Sequence, residues 1–305
     1  MIAEFGIIPD VFDRASYSST ELGDVCLRQL LEYCRDEALV RDFCGGAWSA
    51  HIKQESARWH IRTKEFIETL CKENRLRLAK QIQQRLPEND AEWYYEAAAS
   101  ELDLIVARNP KAIGGEDDPC VTPITGIEGS RWGRKRSPSV LLQRRTADYL
   151  KSLRPVLKHA TSFMFIDPYI DETKGGYREF SQLLCKLGRL TPPPRLEIHV
   201  WQGDGQSSRS VLDRFHNSHK ALAKARMGAK VFVWPVNFHD RFLITDLVGL
   251  SLSNGFDIAT NNVNEAIWTR LGRNDREVIE KRFEPNAARY GDVSSSRFNI
   301  GASAT

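Results

Sequence analysis

Three short apolar runs, Phe163–Ile170, Leu196–Trp201 and Lys230–Trp234, alternate with helical patterns and so limit what this chain can become. Each run is short, rich in aromatic and β-branched residues, and bounded by Gly, Pro or Asp, which marks a buried strand rather than a helix. Helical periodicity fills the gaps, at about Tyr177–Leu187 and Ser208–Met227, and another helix is expected at about Val140–Leu153. A fourth run, Phe242–Asp246, is followed closely by Gly249–Ser253, an antiparallel partner in spacing. Strands alternating with helices and then lying side by side predict an α/β sandwich around a mixed sheet, over residues 139–290. A final helix is expected at about Asn274–Phe283, stopped by Pro285, and a Ser-rich tail at 291–305 is expected to be loose.

The first hundred residues read differently. Ser18-Ser19-Thr20-Glu21 can cap a helix whose apolar residues Leu22, Val25, Cys26, Leu30, Tyr33 and Cys34 recur at helical steps, ending by Gly45-Gly46. A second helical pattern runs from about Arg62 to Arg85, and Asn89 offers a cap for a third from Ala91. Apart from a short strand at Leu104-Ile105-Val106, residues 1–107 are expected to form a mainly helical module. Residues 108–138 are broken by Pro110, Gly114-Gly115, Pro119, Pro123, Gly126, Gly129, Gly133 and Pro138, and are expected to be a linker or long loop at the domain boundary.

Composition narrows the class. The chain has 305 residues, 41% of them hydrophobic and 27% charged, an ordinary globular balance. No apolar run approaches the roughly 20 residues that a membrane-spanning helix needs. The start lacks the plan of a signal peptide, so a cytoplasmic location is expected. Six cysteines form no C-x-x-C pair and sit mostly at apolar helical positions, which fits reduced core thiols. The net charge of +3 names no partner. Residues 131–158, however, hold Arg131, Arg134, Lys135, Arg136, Arg144, Arg145, Lys151, Arg154 and Lys158 against Asp148, an arrangement of a solvated helix face or of a phosphate-backbone contact.

Chemistry concentrates at His239, Arg241 and Asp246, which flank the run Phe242-Leu243-Ile244. His239 and Arg241 are two apart, hence on one face of an extended chain. An imidazole can attack phosphorus or relay a proton, and a guanidinium beside it can hold two non-bridging oxygens in its fork. With 7 His, 43 Lys and Arg, and 19 Asp in 305 residues, about 0.06 chance occurrences of this spacing are expected.

His-x-Lys/Arg, four residues, then Asp is the motif of the phospholipase D superfamily, which this chain resembles at His239, Arg241 and Asp246 and at Ser253-Asn254. The segments Asp167-Pro168-Tyr169-Ile170, His239-Asp240-Arg241 and Asn254-Gly255-Phe256-Asp257 also resemble the phospholipase-D-like C-terminal domain of MIT-domain proteins, over about residues 160–285. The first resemblance implies a metal-independent phosphodiesterase, most readily a nuclease. His239 would be nucleophile or acid, Arg241 would hold the phosphate, Asp246 would orient a histidine, and Ser253 and Asn254 would contact the phosphoryl group. No cofactor or metal is implied. That mechanism takes two histidines, and neither His51 nor His60 is followed by the required Asp. Activity would then require a homodimer pairing two copies of His239. The N-terminal module would recognise a protein partner or trigger, with nucleic acid as substrate, a combination suited to a bacterial defence system. The second resemblance implies the alternative, a non-catalytic scaffold that binds lipid, nucleic acid or protein.

Overall fold

The structure is a computed structural model and describes residues 2–55, 58–187, 192–258, 264–284 and 295–302. The chain divides into two compact units, one of Ile2–Arg136 and one beginning at Ser137.

The first unit corrects the expectation of a mainly helical module. Its elements run β1 (Ala3–Ile7), α1 (Thr20–Glu37), β2 (Ala38–Asp42), α2 (Phe43–Gln54), α3 (Arg62–Lys72), β3 (Leu76–Leu78), α4 (Asp90–Ala98), β4 (Leu104–Ala107), β5 (Val121–Pro123) and α5 (Arg131–Lys135). The strands form a five-stranded sheet in the order β3-β2-β1-β4-β5, with every pair parallel. Parallel strands are buried on both faces and so lack the alternation that betrays a strand. All five residues of β1 are buried. β2 follows α1 without a break, so Ala38-Leu39-Val40 extends the helical pattern by eye. The apolar period expected to run as one helix to Arg85 stops at Lys72, and Asn74 turns the chain with φ 55 before β3. The caps do fall as the sequence suggests: Ser19 accepts from the Leu22 N–H and Asn89 from that of Glu92.

Residues 108–138 are not a linker for most of their length. β5 pairs with β4, a 3-10 turn covers Ile124–Gly129, and α5 follows, capped by Ser130. This stretch belongs to the first unit as far as Arg136, whose guanidinium pairs with buried Glu37. The glycines and prolines mark tight turns within a fold, not a gap between folds.

The second unit holds β6 (Ser139–Gln143), α6 (Thr146–Ser152), α7 (Arg154–His159), β7 (Ser162–Ile166), α8 (Phe180–Leu187), β8 (Arg195–Trp201), α9 (His216–Lys224), β9 (Gly228–Trp234), β10 (Phe242–Thr245), β11 (Gly249–Leu252), β12 (Glu265–Arg270), α10 (Arg273–Phe283) and β13 (Ser296–Gly301). They build an eight-stranded mixed sheet in the order β13-β9-β8-β7-β10-β11-β12-β6. β7, β8 and β9 are parallel, and every other pairing is antiparallel. The α/β class and the central place of the motif strand stand as expected. Helices cover both faces: Phe283 and Ile279 of α10 pack with Ile166, Trp234 and Ile244, while Phe165 meets Phe180 of α8 edge-on. Buried Leu243 and Ile244 contribute about 1.5–3 kcal/mol each by their burial, which pins β10 in register between β7 and β11.

Two expectations give way. Ser139–Gln143 is a strand on the sheet edge, not the first turn of a helix, because Leu141 and Ile267 lie opposite each other in a ladder. Residues 296–301 of the expected loose tail form β13 against β9. Residues 291–294 and 303–305 of that tail lie outside the described residues, as does the stop expected at Pro285.

Candidate functional site

The site forms where β7 ends, β10 begins and β11 ends. The chain leaves β7 at Ile166 and turns through Asp167-Pro168-Tyr169. It returns through Phe238, buried against Phe283, so that His239 emerges just ahead of β10. His239 and Arg241 therefore precede the strand, although the Leu252 N–H still donates to the Arg241 carbonyl at 2.9 Å and continues the ladder.

His239 is exposed, and its Nδ1 lies 2.9 Å from the Tyr169 hydroxyl. The Arg241 guanidinium sits 5.0 Å above the Tyr169 ring. Its Nη1 donates to the Ser253 carbonyl at 3.0 Å, and its Nε stands 3.7 Å from Asp167 Oδ1. Arg241 Nε is nonetheless among the buried polar atoms without a hydrogen-bond partner in the described residues. The fork is thus fixed on three sides and remains 27% exposed, which leaves it able to meet an anion.

Beneath this layer Asp167 is fully buried. It accepts from the Tyr177 hydroxyl (2.9 Å) and the Tyr169 and Phe256 N–H groups (3.0 and 3.3 Å). Burial pushes its carboxyl up to about 6, against the opposing pull of those hydrogen bonds and of Arg241. Burial raises the Tyr177 hydroxyl too, with the Asp167 charge adding to it. Gly255, at φ +69, lets the chain pass directly over Asp167; any Cβ there would collide with Asp167 Oδ2. Asp257 is engaged elsewhere, by the buried guanidinium of Arg144, so one member of the basic stretch 131–158 serves the interior rather than a surface contact.

The residues expected from sequence separate into two groups. His239, Arg241, Ser253 and Asn254 come together. Asp246 does not. It lies beyond the far end of β10, a strand of four residues and so roughly 13 Å long. Its carboxylate accepts from the Thr161 N–H and hydroxyl, both at 2.9 Å, and from the Ser162 N–H at 3.3 Å, fixing the start of β7. Within one chain this placement keeps Asp246 from orienting His239. Ser253 is also partly committed, since its hydroxyl donates to Asn254 Oδ1 and accepts from the Ile267 N–H, each at 2.9 Å. Asn254 is the less encumbered of the two as a phosphate contact.

The sequence places Tyr169 in a strand-end turn packing near the site, with a substrate role as the lesser alternative, and offers Asp257 or Asp167 as an ion-pair partner for Arg241; Asp167 is the one that stands beside it. The Asp-Pro-Tyr turn at a strand end was the signal available for both. Sequence reasoning also passed over the point in the first unit, between the carboxyl ends of β1 and β4, where the strand order reverses. Doubly wound sheets bind ligands at such a point. Asp10 accepts from the Arg108 and Asn109 N–H groups there, and burial, with the nearby Asp90 adding to it, raises its carboxyl to about 6. Burial likewise raises Asp90. His60 is buried and bonded to the Thr20 carbonyl and the Arg62 N–H, a structural histidine. All six cysteines are free; three are buried, but Cys71 and Cys185 are exposed, against expectation.

No family model matches the chain. No curated protein matches it either. Among solved structures, one similar chain is TrmBL2, an archaeal chromatin protein whose structure is titled as showing a novel mode of DNA binding. The identity is 12%, the TM-score 0.29, and the likeness covers 75% of this chain and 82% of that one. A likeness of that size has no bearing on fold or function. Among the described residues, no helix is long and apolar enough to cross a membrane.

Proposed function

We propose that the second unit is a phosphodiesterase of the phospholipase D type, working through His239 and Arg241 without a metal, with nucleic acid as its favoured substrate. The observation that carries this reading is the His239–Tyr169–Arg241 group at the strand ends, with His239 exposed and the half-buried Arg241 guanidinium stacked on the tyrosine that His239 contacts. His239 exchanges a proton with, or attacks, the scissile phosphate. Arg241 holds the non-bridging oxygens and gains strength as charge builds on them. The open position of His239 suits a polymer backbone better than a small enclosed ester. Transfer at phosphorus needs a second group to handle protons or attack, and a two-fold pair of chains would supply it as a second His239.

The second reading is a non-catalytic scaffold that binds an anionic lipid, nucleic acid or protein. The ion pair between Arg241 and buried Asp167 favours it, because a guanidinium so held also has a structural use. Turnover separates the readings. Cleavage of bis-p-nitrophenyl phosphate or a labelled oligonucleotide in chelator, lost in His239→Ala, supports the enzyme; no turnover with any phosphodiester leaves the scaffold.

A further inference from the structure

We propose that Tyr169 is the nucleophile of this site and His239 its general base, an inference that rests on the phosphodiesterase reading. The Tyr169 hydroxyl and His239 Nδ1 lie 2.9 Å apart, the spacing that marks a nucleophile with its activating base. The hydroxyl is held in place from both ends. The Tyr169 N–H donates to buried Asp167 at 3.0 Å, and its ring carries the Arg241 guanidinium at 5.0 Å. A phosphate approaching the phenol oxygen therefore comes within reach of the fork that neutralises it.

The same geometry argues against the imidazole as the attacking group. A nucleophilic histidine needs an acceptor for the proton on its other nitrogen, and a carboxylate serves best. Asp246 is committed to Thr161 and Ser162 beyond the far end of β10. Asp167 is fully buried and bonded to Tyr177 and two backbone N–H groups. Among the described residues the His239 ring has the phenol as its side-chain partner, a weak acceptor but a serviceable donor. With the phenol donating to Nδ1, one chain supplies both nucleophile and base, and no second copy is required.

The step balances. His239 Nδ1 takes the Tyr169 proton as the phenol oxygen bonds to phosphorus. The bond from phosphorus to the leaving alkoxide breaks on the opposite, in-line side, and that oxygen takes a proton from solvent water, leaving hydroxide. The product remains joined to Tyr169 as a phosphotyrosine diester. Hydroxide then attacks phosphorus from the face the first product left, the bond from phosphorus to the phenol oxygen breaks, and the departing phenoxide takes its proton back from the His239 imidazolium.

Acid stability of the trapped intermediate is the test, because an ester on tyrosine survives acid and a phosphoramidate on histidine hydrolyses. The full-length chain would be mixed with excess labelled oligonucleotide in chelator, quenched in acid, digested and mapped by mass spectrometry. The expected result is an acid-stable adduct on the peptide carrying Tyr169. In Tyr169→Phe that adduct should vanish and turnover fall by about 10³-fold or more, with the melting temperature nearly unchanged. Turnover retained in Tyr169→Phe, or an adduct that survives only an alkaline quench and maps to His239, overturns the inference and leaves the phosphodiesterase reading intact. Absence of turnover in the wild-type chain overturns both.

Discussion

Asp246 and His239 stand beyond opposite ends of β10, and the Asp246 carboxylate accepts from Thr161, just before β7, and from Ser162, its first residue. The motif therefore combines two roles along one strand, chemistry at its start and anchoring at its end. Asp246→Ala should cost about 1 kcal/mol of stability, the scale of a lost hydrogen-bonding partner. Turnover per folded molecule should stay within a few-fold of wild type. Thermal melting and active-site-normalised rates check this; a collapse of rate with unchanged melting would return Asp246 to the chemistry.

Arg241 separates the enzyme from the scaffold. If its fork meets the phosphate, Arg241→Ala should lower kcat by about 10²-fold or more, the scale of losing one such donor. Arg241→Lys should retain much of the rate, since lysine keeps the charge at that position. If Arg241 serves only Asp167, both variants should melt early, and ligand binding should persist.

Asp167 gives the unit a pH dependence of definite sign. Its carboxyl titrates near 6 in the fold against 3.8 in the reference state, so the folded form holds the proton more tightly. The stability it contributes is present at low pH and declines as pH rises from about 4 through about 6, then levels. The Tm difference between wild type and Asp167→Asn, measured from pH 4 to 7, should shift against wild type across that window. Asp10 titrates in the same range in the other unit and is common to both proteins, so the difference isolates Asp167. A difference that stays constant with pH would contradict the assignment.

Gly255 is a further check on that buried carboxylate. Alanine there meets Asp167 Oδ2 and must also adopt φ near +69. Gly255→Ala should lower stability by at least about 1–3 kcal/mol, while Gly272→Ala, whose Cβ meets Asp275 Oδ2 at an ordinary 3.4 Å without a positive φ, should cost less. Equal losses would mean that the close approach at Gly255 is not what limits the site.

These particulars also show how far the sequence alone reaches. β10 was legible because Leu243 and Ile244 are apolar, short in run and flanked by polar residues, and β7, β8 and β9 for the same reason. The first unit was not, since β2 abuts α1 and β3 is three residues long, leaving no break in apolar period to notice. His239 and Arg241 stood out by chemistry. Tyr169 joins them only because the turn after β7 brings residue 169 beside residue 239, a contact across 70 positions that no local pattern records. Asp246 misled for the converse reason: seven residues from His239 in sequence, it is carried away by an extended strand.

The most direct measurement is the rate of phosphodiester cleavage by wild type and His239→Ala in the presence of chelator, on an oligonucleotide and on bis-p-nitrophenyl phosphate. The account predicts turnover by wild type that chelator leaves unchanged, and its loss in a variant that still melts as wild type does. Cleavage that requires Mg²⁺, or that persists without the imidazole, would contradict it.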